Sequence, residues 1–350
     1  MSSTYKDIKH ITGYSLGTIS RYFNGGNLRA KTKKDIQAAV TQLDFRVNGF
    51  ARGLKSRKSL TIGLLIPELN SVFNTTIMRH VGQFFRRRGY SCLVCDCDYE
   101  IDTEREALSF LIDKMVDGII AIPTDVSGKS LSLAHAHDVP LVLVDRKTEE
   151  FETDTVLIDN YAAGRTAADY LMARGHYRAA VIAGPISVYT MKQRSNGFLD
   201  AFTIHNNGRS PAADSVFVTE TDFSIEGGYK AAKELLESKN CITAIFCVNY
   251  ELTLGTIIAM NELGVKYPDD ISFFGFDNME LTRTVNPSLT LVEQPLELLA
   301  QSASQLLLAR LENNDNSDYK TIILDTKLVE GDSISNLNIQ APTWKGLRRA

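Results

Sequence analysis

The segment Thr4–Asn24 reads TYKDIKHITGYSLGTISRYFN, with hydroxyl and basic side chains interleaved with apolar ones at helical spacing. Side chains of this kind bond the phosphate oxygens of a nucleic acid, and short groups in the first turn of a helix reach base edges. Thr4, Tyr5, Ser15, Thr18, Ser20 and Asn24 are the candidates for phosphate hydrogen bonds. Leu16 and Gly17 should face bases, and Arg21, one turn on, reaches a guanine edge or a phosphate. A second set of polar residues follows apolar runs directly: Asp145 after PLVLV, Asn249 after TAIFCV and Asp277 after ISFFGF. If those runs are parallel strands, such positions open on a ligand crevice, where Asp and Asn bond ligand hydroxyls.

The other reactive residues combine poorly. Cys92, Cys95 and Cys97 in YSCLVCDCDYE have a spacing that can hold a metal or run redox chemistry, yet no second Cys/His pair is close, and the run reads as a buried strand. Of the six histidines, only His135 and His137 are paired, in AHAHDVP at a helix end, where the dipole favours histidine. The first strand has no Gly-x-Gly-x-x-Gly after it, and the chain has neither a Walker loop nor a Gly-x-Ser-x-Gly elbow. These residues point to binding rather than catalysis, with no metal and no cofactor.

Charge divides the chain. The first 58 residues hold twelve Lys/Arg against three Asp, a formal +9, while the remaining 292 hold 26 against 39, a formal −13. A basic head on an acidic body is the footprint of a nucleic-acid reader joined to something that stays off DNA. Within the head, Ile8 and Ile11 mark one helix face and Leu16, Ile19, Tyr22 and Phe23 another. Gly13 lies at the turn and Ser15 at an N-cap, a helix-turn-helix pattern. A third helix follows, capped by Thr32 with Asp35 in its first turn, and an inward stripe of Ile36, Ala39, Val40 and Leu43.

From Leu60 onward strand and helix patterns alternate. Leu60–Ile66, Tyr90–Cys95, Asp117–Ile122 and Pro140–Val144 read as buried parallel strands, with helices beginning near Phe73, Thr103 and Ser127. A second series starts near Val156 and continues through Ala179–Ala183, Ser215–Val218, Ala244–Val248 and Ile271–Gly275. Two wound sheets make a two-lobed α/β body with a cleft between the lobes. A length of 350 residues fits two or three domains, and 44% hydrophobic with 23% charged residues is ordinary globular composition. The N-terminus shows no secretory signal and no run approaches the roughly 18 apolar residues that span a bilayer, so a cytoplasmic protein is expected. Five cysteines give no disulfide framework.

Asp7-Ile8, Gly13, and Ser15-Leu16-Gly17-Thr18-Ile19-Ser20-Arg21 ending in Asn24 resemble the lactose/galactose repressor (LacI/GalR) family of bacterial transcription regulators. The likeness continues through Asn48-Gly49-Phe50-Ala51-Arg52-Gly53-Leu54, which looks like that family's hinge helix, and on through the body, covering about 330 residues. It implies an α/β chain with an N-terminal all-α helix-turn-helix domain (1–47), a hinge helix and linker (48–59) and a two-lobed, periplasmic-binding-protein-like body of doubly wound parallel sheets (60–337). Lobe one would hold about 60–146 and 288–319, lobe two about 147–287 and 320–337, with three crossings and a tail at 338–350 that contains Trp344.

The resemblance also implies that Asn48, Ala51 and Arg52 meet the DNA at the hinge and that Leu54, paired with its dimer mate, wedges into a minor-groove step. Asp145, Asn249, Asp277 and Arg194 match family ligand contacts, Phe73 and Phe223 match aromatic ones, and Gln294 is a further polar candidate. Three departures stand out: Lys9 and Thr12 in place of Ala, Tyr14 in place of an aliphatic residue, and Tyr250 where an acid often stands beside the asparagine. The function implied is a homodimeric repressor of carbohydrate genes, released from double-stranded operator DNA by a sugar. A co-repressor-dependent regulator (purine or phosphoprotein partner) and a solute-binding protein of the same body fold are the alternatives.

Overall fold

The computed structural model describes residues 4–23, 26–45, 58–205, 216–238, 241–277, 284–313 and 318–338. Asn24, the hinge residues Asn48, Ala51, Arg52 and Leu54, and Trp344 lie outside them. The chain separates into two compact units, Met1–Ser59 and Leu60–Ala350.

The first unit is built on Ile8, Ile19, Ile36 and Ala39, all buried, one or two from each of three helices: α1 (Tyr5–Thr12), α2 (Leu16–Phe23) and α3 (Ala30–Gln42). So small a core gains from aromatic packing, and Phe23 lies 5.2 Å from Tyr5 and 5.4 Å from Phe45, ring centre to ring centre. The backbone amide and hydroxyl of Thr4 both donate to Asp7, closing the start of α1. Gly13 ends the helix in a left-handed conformation, φ 68°, which glycine adopts without steric cost.

Two expectations for this unit need correction. Ile11 does not share the inner face with Ile8 but is 42% exposed; the half-buried residue of the last turn is Thr12, whose hydroxyl donates to the Ile8 carbonyl at 2.7 Å. Helix α3 begins at Ala30, so Thr32 lies inside its first turn instead of capping it. Asp35 serves as a tether, since its carboxylate accepts a 2.8 Å bond from the Tyr14 hydroxyl and ties the turn between α1 and α2 to α3.

The second unit begins with β1 (Thr61–Ile66), α4 (Val72–Arg86), β2 (Ser91–Asp96), α5 (Ile101–Asp113), β3 (Gly118–Ala121), α6 (Ser132–Ala136), β4 (Leu141–Val144) and β5 (Asp154–Ile158). There follow α7 (Asn160–Ala173), β6 (Ala179–Ala183), α8 (Tyr189–His205), β7 (Val216–Glu220), α9 (Ile225–Glu237), β8 (Ala244–Cys247), α10 (Tyr250–Leu263) and β9 (Ser272–Phe276). The chain ends in β10 (Thr290–Glu293), α11 (Leu296–Asn313), β11 (Thr321–Leu324) and β12 (Lys327–Val329). The continuous apolar strands are buried on both faces, as parallel strands flanked by helices must be.

One sheet has the order β11-β5-β4-β3-β1-β2, all parallel; the other is β12-β10-β9-β8-β6-β7, parallel except for the antiparallel β12–β10 edge. This pairing moves the expected lobe limits. Strand β5 pairs with β4, and Arg310 of α11 bonds its Asp154 carboxylate at 2.7 Å, so lobe one continues to 158 rather than 146. Strand β10 joins β9 in the second sheet, and β11 returns to β5 in the first. Lobe one is therefore about 60–158 and 296–324, lobe two about 160–293 and 327–338. The chain crosses between them at three places, each beside the carboxyl end of a strand. The helix expected near Ser127 starts at Ser132 instead, after a turn in which Asp125 accepts from the backbone and hydroxyl of Ser127.

Candidate DNA-reading face and effector cleft

On the first unit, α2 presents Leu16, 42% exposed, with Ser15, Gly17 and Arg21 also exposed. The Ser15 hydroxyl accepts from the Thr18 amide at 3.2 Å and so caps the helix. A Cβ at Gly17 would meet only the Ser15 hydroxyl, at 3.7 Å, so nothing inside the head requires a glycine there. Thr18 and Ser20 are half-buried, and Tyr5 spends its ring on packing against Phe23.

In the second unit all seven sequence candidates, Phe73, Asp145, Arg194, Phe223, Asn249, Asp277 and Gln294, line one narrow cleft of about 40 Å³ between the lobes. Asp145 and Asp277 hold equivalent posts. Each follows the C-terminal residue of a sheet strand in a left-handed conformation, φ 69° and 62°, and each amide donates to the next strand, to the Val156 carbonyl and the Val292 carbonyl. Aspartate tolerates this backbone better than most residues.

Arg194 is buried on α8. Its Nε donates to Asn160 Oδ1 and its Nη1 to the Val248 carbonyl, both at 2.7 Å, while Nη2 lies 4.0 Å from Asp145. Two glycines make that position available. A Cβ on Gly164 would fall 1.9 Å from the Arg194 carbonyl, and one on Gly197 would fall 2.0 Å from the Tyr161 carbonyl, so α7 and α8 touch backbone to backbone.

Burial dominates the cleft's electrostatics. It pushes the Asp277 carboxyl up to about 7, against the opposing pull of Arg194 and a 2.6 Å bond from Gln294 Nε2. Asp145 is raised for the same reason, opposed by Arg146 and Arg194, with Arg146 Nε 3.4 Å away. Desolvation lowers Arg194 in turn.

Asn249 plays a more local part than its strand-end position suggested. Its side-chain oxygen accepts from Leu252 and caps α10, and its nitrogen donates to Glu251 at 3.1 Å. Tyr250 lines a wider cavity, about 820 Å³, with Glu293–Leu298, and Glu251 brings the carboxylate into the cleft. Thus the acid missing at Tyr250 is supplied one residue later, raised by burial. Sequence reasoning also passed over Arg146, Thr190 and Tyr99; of these, Arg146 was signalled by its place beside Asp145. Thr190 Oγ1, Glu251 Oε1 and Gln294 Oε1 are buried without a hydrogen-bond partner. Tyr99 occupies a tight turn in which the Glu100 amide donates to the Cys97 carbonyl, with Asp98 and Tyr99 both left-handed (φ 49° and 58°). Its ring lies parallel to that of Phe223, 5.0 Å away.

Residues 59–332 match the family model for periplasmic binding proteins and the sugar-binding domain of the LacI family. The chain belongs to the LacI family. Its relatives include the HTH-type transcriptional repressor PurR of Proteus mirabilis, 32% identical over 337 residues, covering 95% of this chain and 97% of that one. A LacI family transcriptional regulator from Enterococcus faecium, solved with bound ribose, is 27% identical with a TM-score of 0.71 over 79% of this chain and 99% of that chain. The Lac repressor dimer bound to operator and the anti-inducer ONPF shares the fold at TM-score 0.84 and 23% identity, across 96% of this chain and 100% of that chain. This LacI-family protein is accordingly a DNA-binding transcriptional regulator and not an enzyme. Among its described residues no helix is long and apolar enough to cross a membrane, and no group of three or more His, Cys, Asp and Glu is arranged to hold a metal. Cys92 and Cys95 are half-buried and Cys97 is buried, and desolvation raises all three thiols, which disfavours the reactive thiolate.

Proposed function

We propose that this protein represses transcription in the cytoplasm as a homodimer on a pseudopalindromic operator, and is released when a neutral, hydroxyl-rich molecule, a sugar, enters the cleft between its lobes. The composition of the cleft carries the effector class. Two buried carboxyl groups, Asp145 and Asp277, and a half-buried one, Glu251, stand beside two guanidinium groups, Arg146 and Arg194. Such a set can both accept hydrogen bonds from ligand hydroxyls and donate to them. Buried polar atoms without partners are costly, and ligand hydroxyls would satisfy Thr190, Glu251 and Gln294. The ribose bound to the Enterococcus faecium regulator supports this class.

On DNA, α2 lies in the major groove with Leu16 and Gly17 against bases and Arg21 one turn on, while Thr4, Tyr5, Ser15, Thr18, Ser20 and Asn24 hold phosphates. The hinge segment, with Asn48, Ala51 and Arg52, meets the minor groove, and Leu54 wedges into it. Effector binding reorients the lobes and disfavours the ordered hinge; by linkage, the operator must weaken effector affinity by the same factor. A second reading, a purine co-repressor, is favoured by the PurR relatives.

Selection of duplexes from a random pool by the full-length protein supplies the operator. Sugars, hypoxanthine and guanine are then titrated into the complex. A sugar that weakens operator binding is the expected result. A purine that tightens it would establish the second reading. A selection that yields no palindrome with the protein alone is repeated with the purines present, and a second failure would remove both readings. Leu54→Ala should weaken specific binding while sparing non-specific binding.

A further inference from the structure

Tyr99 comes from lobe one and Phe223 from lobe two, so their stack joins the lobes across the cleft at 5.0 Å, 8° from parallel. The Arg146 guanidinium lies 5.7 Å from the centre of each ring. The backbone that presents Tyr99 is costly. Two consecutive non-glycine residues are left-handed, and the second post of such a turn ordinarily belongs to glycine. A cost of this kind persists where the side chain it delivers has a use.

Space decides what the use is. Inserting a planar ring between two others requires two contact layers of about 3.5–4 Å each, about 7–8 Å in all, which the 5.0 Å stack denies. The cleft beside it, about 40 Å³, is far smaller than a sugar, so an effector that is to sit among Asp145, Arg194 and Asp277 must part the lobes to enter. When the lobes close again, the stack re-forms only over a ligand that leaves the face of Phe223 free. A ligand seated among Asp145, Arg194 and Asp277 does so, whereas a flat heterocycle on Phe223 does not.

The geometry points to Tyr99 as a specificity-determining residue that keeps planar heterocycles off Phe223 and reserves the cleft for non-planar, hydroxylated ligands. This rests on the sugar reading, and it can fail separately from it.

The test is calorimetric titration of the full-length wild type, Tyr99→Gly and Tyr99→Phe with p-cresol, hypoxanthine and D-ribose. Glycine suits the left-handed turn, so Tyr99→Gly removes the ring without straining the backbone, and its melting curve checks folding. Tyr99→Gly should bind p-cresol and hypoxanthine at least tenfold more tightly than the wild type, while Tyr99→Phe, which keeps the stack, should match the wild type. Equal hypoxanthine affinity in the wild type and Tyr99→Gly, or a folded Tyr99→Gly that ignores p-cresol, overturns the assignment. D-ribose failing to bind any of the three would count against a ribose-type sugar and leave the p-cresol comparison to decide on Tyr99 alone.

Discussion

The guanidinium of Arg194 lies over the ring of Phe276, its central carbon 3.9 Å from the ring centre. With Asn160 and the Val248 carbonyl holding its nitrogens, the side chain has one place to be, and its charge balances Asp145 and Asp277. Replacement by Met keeps the bulk and strands two buried acids. Arg194→Met should lose its effector response, keep operator binding by the free protein, and cost roughly 3–5 kcal/mol of stability in urea unfolding. A variant that still responded would remove Arg194 from the sensor.

The Asp277 carboxyl, held at about 7 by burial, gives a pH dependence of definite sign. An unfolded aspartate titrates near 3.9, so between about 4 and 7 the native state binds more protons than the unfolded one. The resulting stability is full below that window and lost as pH rises through 7. Asp277→Asn should flatten this part of a melting-temperature profile, and a slope unchanged by the substitution would contradict the assignment.

At the α7–α8 crossing a single methyl group decides the geometry. Gly164→Ala places its Cβ against the backbone of Arg194, where no rotamer change gives relief. We expect a loss of about 1–3 kcal/mol, the usual range for overpacking, and a weakened effector response because Arg194 moves with its helix. Thermal unfolding with ligand titration separates the two effects.

Gly17 should behave in the opposite way. Nothing internal opposes a Cβ there, and Ala favours a helix by about 0.8–1 kcal/mol. Gly17→Ala is expected to stabilise the head while changing operator affinity or sequence preference, because the proposed docking turns the added methyl toward the bases. Unchanged DNA selection would show that the bare backbone at Gly17 is not read.

Much of this was legible in the residues. Apolar runs of four to six residues announced the buried strands, although Tyr90–Cys95, expected to be buried, forms the exposed edge strand β2. The polar residues after two of these runs named Asp145 and Asp277, because the end of a parallel strand is a fixed geometric post. What escaped reading depends on contacts distant in sequence. The assignment of β5, β10 and β11 to their sheets is decided by pairing partners, which no local pattern encodes. Tyr14 looked like a misfit until Asp35, 21 residues on, supplied its partner. Glu251 was hidden behind Tyr250, since which of two adjacent residues faces a cleft depends on where α10 begins. Tyr99 gave no signal at all, because a left-handed tyrosine is not what turn propensities predict.

The three crossings also bear on how the protein is made. Neither lobe is a continuous stretch of chain, and one of the two edge strands of each sheet, β11 in the first and β12 in the second, is supplied only by residues 321–329. A ribosome therefore releases a finished DNA-reading head long before either sheet has its full set of strands. For the whole of that interval, the part that recognises an operator exists without the part that answers to an effector.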